Sequence, residues 1–190
     1  MTENPAGTDP IADTRRWLQR AVIGLNLCPF AKAVAVRDQV RFALSDAATP
    51  EALLQALAAE LALLRDTDPD AVDTTLLIHP RVLGDFLDYN DFLDAADALV
   101  ASMGLDGVLQ VASFHPRYRF AGSGEDDIEN FSNRSPHPML HLLREDSVAR
   151  AVAAYPDPDV IVERNQRTLR RLGRAGWRAL LTWETGPERG

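Results

Sequence analysis

TTLLI at residues 74–78 and VLQVASF at residues 108–114 flank DFLDYNDFLDAADALVASM at residues 85–103, and this stretch decides the fold. The two apolar runs have the length of buried strands, and the first is rich in β-branched residues. Between them Phe86, Tyr89, Leu93, Ala96 and Val100 recur at helical spacing along one side, and Gly104 supplies a C-terminal stop. Strand, helix, strand is the signature of a crossover unit.

The same alternation continues toward the N-terminus. Thr49-Pro50-Glu51 reads as an N-cap, a first-turn proline and a first-turn acid, opening an Ala/Leu-rich helix that runs to about residue 65. A short strand at 40–44 precedes it. A helix over 11–27 places Trp17, Leu18, Ala21, Val22 and Leu25 on one face and ends before Pro29. Toward the C-terminus, residues 121–134 form a long loop rich in Gly, Ser, Asn and acids, of the kind that is more often functional than a plain connector. Helices are expected over 135–154 and 159–174 with a turn at 155–158 between them, and residues 177–183 read as a last strand or a frayed tail. The expected architecture is α/β, a small central sheet flanked by helices, with a ferredoxin-like α+β arrangement as the alternative. One domain over 11–183 carries loose tails at 1–10 and 184–190.

Composition narrows the function classes. Of 190 residues, 46% are hydrophobic and 25% charged, an ordinary globular balance. Twenty basic against 28 acidic residues give a net charge of −8, which repels phosphate backbones and anionic headgroups, so neither a nucleic-acid nor a membrane partner is expected. One cysteine cannot form an internal disulfide, which fits the cytoplasm. No phosphate loop, dinucleotide fingerprint or Cys-x-x-Cys is present, so no cofactor is implied.

Two strands end in His-Pro, at His79-Pro80 and His115-Pro116, which puts both imidazoles at the carboxyl edge if the sheet is parallel. Asn133-Arg134-Ser135-Pro136 reads as a donor pair before a capped helix start, suited to a small anion. On the helix expected to follow, His137, His141, Arg144 and Val148 share a narrow sector. Two His four apart are a candidate metal pair, but the local pattern supplies no third ligand and no tight metal site is expected. Cys28, the one thiol, follows a helix C-terminus whose dipole disfavours a thiolate, and its bland reading is a small buried hydrophobe.

The blocks LNLCPFAKA (25–33), QVASFHPRYRF (110–120) and NRSPHPMLHLLRED (133–146) together resemble an uncharacterised bacterial family of about this length, classed as a domain of unknown function. The resemblance implies no activity, cofactor or catalytic residue. It often carries Tyr where this chain has His137, which weakens the two-His pair. Within those blocks lie Cys28, His115, Asn133, Arg134, His141 and Arg144. The first expectation is an enzyme acting on a small anionic metabolite, with His115 as general acid or base, Cys28 as pocket wall or nucleophile, and Asn133, Arg134, His141 and Arg144 binding substrate. The alternatives are a non-catalytic small-ligand or protein-binding module and, third, a metal-binding protein using His115, His141 and Cys28.

Overall fold

The computed structural model describes residues 9–154 and 158–181. Asp9 opens the first helix: its carboxylate accepts the Ile11 N–H at 2.9 Å and Pro10 takes the first turn, so the helix begins at the end of what reads as a tail. α1 (Pro10–Trp17) passes directly into a π-helical segment (Leu18–Ile23). The wider turn brings the backbone of Gly24 so close that a Cβ there would sit 2.3 Å from the Arg20 carbonyl oxygen, hence the glycine. Asn26 then turns the chain in the left-handed region, with φ 53°.

A short helix that periodicity does not reveal, α2 (Ala31–Val36), precedes β1 (Val40–Leu44), α3 (Pro50–Asp66), β2 (Thr74–Ile78), α4 (Phe86–Ser102) and β3 (Leu109–Phe114). The caps are those the sequence signals. Thr49 Oγ1 accepts the Ala52 N–H, and the Asp85 carboxylate accepts that of Leu87.

The largest departure follows Arg134. The helix expected over 135–154 is instead β4 (Met139–Arg144) followed by α5 (Glu145–Ala153). Ser135 and His137 each precede a proline, which drives both out of the α region, so the chain reaches Met139 already extended. β4 then slots between β2 and β3 and runs antiparallel to both, while β1 pairs parallel with β2, giving the order β1-β2-β4-β3. β1-α3-β2 is therefore a plain crossover, and β2-α4-β3 is one split by an inserted strand. The molecule is α/β, with one open mixed sheet flanked by helices. The parallel β1–β2 pair separates it from the ferredoxin-like alternative, whose neighbours all run antiparallel.

The C-terminal helix also corrects the expectation. α6 (Pro158–Leu181) bends at Gly173, where φ is 66° and ψ 173°, and continues as helix. Residues 177–181 are thus neither strand nor frayed: Trp177 is buried and meets the Phe131 ring edge-on at 5.5 Å. Residues 182 and 183, residues 155–157 of the expected turn, and tails 1–8 and 184–190 lie outside the described residues.

Strand alternation divides the interior in two. Leu77, Leu109, Leu140 and Leu142 face α3 and α4, packing on Leu53, Leu57, Leu61, Tyr89 and Phe92. Leu76, Ile78 and Met139 face the other way, toward Trp17, Ala21, Val22, Leu169 and Trp177.

Arg144, expected to bind substrate, is built into this frame. Its Nη2 donates to the carbonyls of Leu64 at 2.6 Å, Thr67 at 2.7 Å and Val72 at 3.0 Å. It thereby caps the C-terminal turn of α3, whose carbonyls have no helical partners. Replacing Arg144 with Met should lower the urea-derived stability by roughly 3 kcal/mol, with Lys restoring only part because an ammonium does not present the planar donor set. A loss below about 1 kcal/mol would mean that water replaces these bonds.

Candidate functional site

β2 and β3 run in the same direction, so His79 and His115 do reach one sheet edge, on either side of the start of β4. Backbone bonds fasten them there: His79 N–H donates to the Pro138 carbonyl at 3.0 Å and His115 N–H to that of Asn133 at 3.2 Å. Both side chains are fully buried against Tyr89, with ring centroids at 5.9 and 5.0 Å. Tyr89 is itself a clamp, donating to the Met139 carbonyl and accepting the Phe114 N–H.

Both ring nitrogens of His115 are engaged. Nδ1 accepts the Arg117 N–H at 3.0 Å, which places the proton on Nε2, and Nε2 donates to the Leu83 carbonyl at 3.2 Å. Burial pushes its pKa down to about 4, so it is neutral at pH 7. His79 is held likewise near 4 by burial, with Nδ1 on the Val82 carbonyl and Nε2 buried without a partner.

The expected anion site also changes character, because no helix begins at Ser135. Arg134 donates through Nε to the Tyr118 carbonyl and through Nη2 to the Glu125 carbonyl, with its guanidinium 4.4 Å from the Phe131 ring. It ties the 121–134 loop together. Asn130, fully buried, does the same from inside: Oδ1 accepts from Phe120 N–H and Ser123 Oγ, and Nδ2 donates to the Gly124 carbonyl. The loop ends in a 3-10 turn (Ile128–Asn133), and Arg170 and Arg174 of α6 pair with Glu129 and Asp126 across it. His137, buried, pairs with Asp13 at 3.2 Å and shares no sector with His141.

Two cavities share a wall. The larger, about 820 Å³, lies on the sheet face turned away from α3 and α4. Its floor is the alternate residues Thr74, Leu76, Gln110, Ala112, Phe114, His141 and Leu143, and its sides are α2 and α5, neither of which buries a residue fully. The smaller, about 700 Å³, lies under the 121–134 loop and α6, lined by Ser123, Asp127, Ser132, Asn133 and Asn165 among others. Val22, Cys28 and Phe114 line both. The half-buried Cys28 thiol is therefore part of the partition.

His141 is the one candidate imidazole on a cavity wall. It sits in the central strand with Leu76 and Ala112 opposite it on the two neighbours, and its ring lies 5.8 Å from that of Phe114. Thr74 Oγ1 donates its single hydrogen to the Leu142 carbonyl at 2.6 Å, so at 2.7 Å it accepts from His141 Nε2–H. Nδ1 then carries the lone pair and has no hydrogen-bond partner among the described residues. Burial holds the ring near pKa 4, a neutral acceptor at pH 7.

The chain belongs to the DUF1415 family. The family model, described as a protein of unknown function, matches residues 9–179. No curated protein matches the chain, and no solved structure matches it. In this DUF1415 member the three sequence blocks do meet, through Cys28, Phe114, Asn133 and His141 around the two cavities. His115, Arg134 and Arg144 line neither. Among the described residues no three His, Cys, Asp or Glu side chains gather as a metal-ligand set, and no helix is long and apolar enough to cross a membrane. Sequence reasoning missed Thr74, Ala112 and Phe114 as site residues, since only strand pairing puts them beside His141.

The histidines also set a pH dependence. His79, His115 and His141 lie near 4 in the folded chain against 6.5 when exposed, so the unfolded chain binds protons in this window that the folded one does not. Stability should be complete above pH 6.5 and fall as pH drops toward 4, by up to about 1.4 kcal/mol per group per pH unit. Urea midpoints measured across that window should show it, with His141→Phe removing roughly a third of the slope. A flat profile from 6.5 to 4.5 would contradict the buried neutral assignments.

Proposed function

We propose that this protein binds a small, largely apolar molecule in the cavity on the sheet face, oriented by His141. The observation that carries this reading is the make-up of one wall: a largely apolar floor of Leu76, Ala112, Phe114 and Leu143 on which His141 Nδ1 is left without a protein partner. About 820 Å³ lies within the range of roughly 300–1,000 Å³ typical of ligand sites, which are apolar with few oriented polar groups. The reading as an enzyme acting on an anionic metabolite has weaker support, since His115 has both ring nitrogens engaged and Arg134 directs its Nε–Nη2 edge at backbone carbonyls.

N-phenyl-1-naphthylamine, a neutral fluorophore that brightens in apolar surroundings, should bind with one-to-one stoichiometry. Ala112→Phe, which fills the floor beside His141, should abolish the signal while the urea-derived stability stays within about 1 kcal/mol of wild type. Equal binding by the filled variant would overturn the assignment to this cavity.

A further inference from the structure

Ala112 is the smallest side chain on the floor of the sheet cavity, and the residues around it differ sharply in character. Strand register puts it opposite His141 of β4, while Gln110 and Phe114 stand two residues away along β3, on the same face. β3 is the last strand of the sheet, so no further strand supplies a side chain on the outer side. A ligand lying over Ala112 thus meets one aromatic ring and two polar groups.

Both polar groups lack protein partners. His141 donates from Nε2 to Thr74 and leaves Nδ1 as an acceptor. The half-buried Gln110 amide, with two N–H hydrogens and a carbonyl oxygen, makes no hydrogen bond to any described residue. Other nitrogen- and oxygen-bearing side chains on this wall that are not exposed are already engaged. Thr74 uses its hydroxyl both ways, Asp73 accepts from Ser147 Oγ at 2.5 Å, and Gln39 donates to the carbonyls of Pro69 and Asp70. The remaining Gln39 oxygen is sealed from the cavity.

Gln110 stands diagonally from His141, a separation of about 7–8 Å in a regular antiparallel pair and within reach of long side chains. The state of each group decides what one ligand edge must bring to meet both. The Nδ1 lone pair takes an N–H, and a Gln110 Nε2 hydrogen takes a carbonyl oxygen. Neither group is charged, since burial holds His141 neutral, so an ionic head would give up hydration for partners that do not compensate it.

We propose that the ligand of this cavity is an uncharged planar ring whose edge carries an N–H beside a C=O, a lactam or an imide. Its N–H is donated to His141 Nδ1, its carbonyl accepts from Gln110 Nε2, and its ring lies against Phe114. The inference rests on the cavity reading above.

The test uses three neutral bicyclic compounds of similar size, titrated calorimetrically into the full chain at pH 7.5. 2-Quinolone has both groups, 1-methyl-2-quinolone only the acceptor, and indole only the donor. 2-Quinolone should bind about tenfold tighter than either of the others. Gln110→Leu, at a half-buried position on an edge strand, should bring 2-quinolone to the level of indole and leave indole unchanged. His141→Phe should bring it to the level of 1-methyl-2-quinolone and leave that compound unchanged. Equal binding of all three by the wild-type chain overturns the donor–acceptor inference, as does an advantage of 2-quinolone that survives either substitution; both results leave the cavity reading standing. Binding of none of the three overturns both readings. Should His141→Phe fail to fold, the three compounds on wild type and on Gln110→Leu decide the matter by themselves.

Discussion

The insertion of β4 between β2 and β3 is the constraint on which the rest of the structure depends. The strands on either side of it come from one crossover, β2-α4-β3, and without β4 the ends of that unit would have no hydrogen-bonding partner between them. Its alternation assigns each residue a task. Leu140 and Leu142 complete the core under α3 and α4, Arg144 on the same side caps α3, and His141 on the opposite side enters the cavity floor. Even the lead-in takes part, since the carbonyls of Asn133 and Pro138 receive the N–H groups of His115 and His79.

Histidine placement then follows from the state of each ring nitrogen more than from position along the chain. The sequence draws attention to His79 and His115 because each follows a strand and precedes a proline, and the structure does bring them to one edge. There they act as aromatic and hydrogen-bonding filler around Tyr89, where a neutral imidazole supplies a donor and an acceptor in a space closed to water. His141 differs from His115 by one bond. Thr74 has only one hydroxyl hydrogen, the Leu142 carbonyl takes it, and so the imidazole must donate from Nε2 and leave Nδ1 open.

Apart from α2, the elements up to Phe114 were legible because local and tertiary preferences agree there: Thr49 and Asp85 cap their helices, and the runs at 74–78 and 108–114 are short, apolar and bounded. Met139-Leu140-His141-Leu142-Leu143-Arg144 was not, because it contains no β-branched residue and consists largely of good helix formers. Strand formation is imposed by neighbours on both sides, which no local window contains. One local signal did point the right way: the paired X-Pro steps at Ser135-Pro136 and His137-Pro138 disfavour helix at both preceding residues. The candidate site was half legible for the same reason. Cys28, Asn133 and His141 were marked by residue type and block, but which of them share a cavity depends on strand order, and the backbone carbonyls that Arg134 and Arg144 bond lie outside the 133–146 block that singled them out.

The sheet cavity requires β4 to be a strand with His141 on its cavity face, and thiol labelling along the strand tests this directly. In a Cys28→Ser background, single cysteines placed at positions 139 to 144 would be exposed to a small neutral maleimide under native conditions. The fold described requires labelling at 141 and 143 and protection at 140 and 142, the period of two of a strand with one open face. Labelling that instead recurs every three to four residues, at 141 with 144 or at 140 with 143, would restore a helix to this segment and remove both the split crossover and the cavity floor.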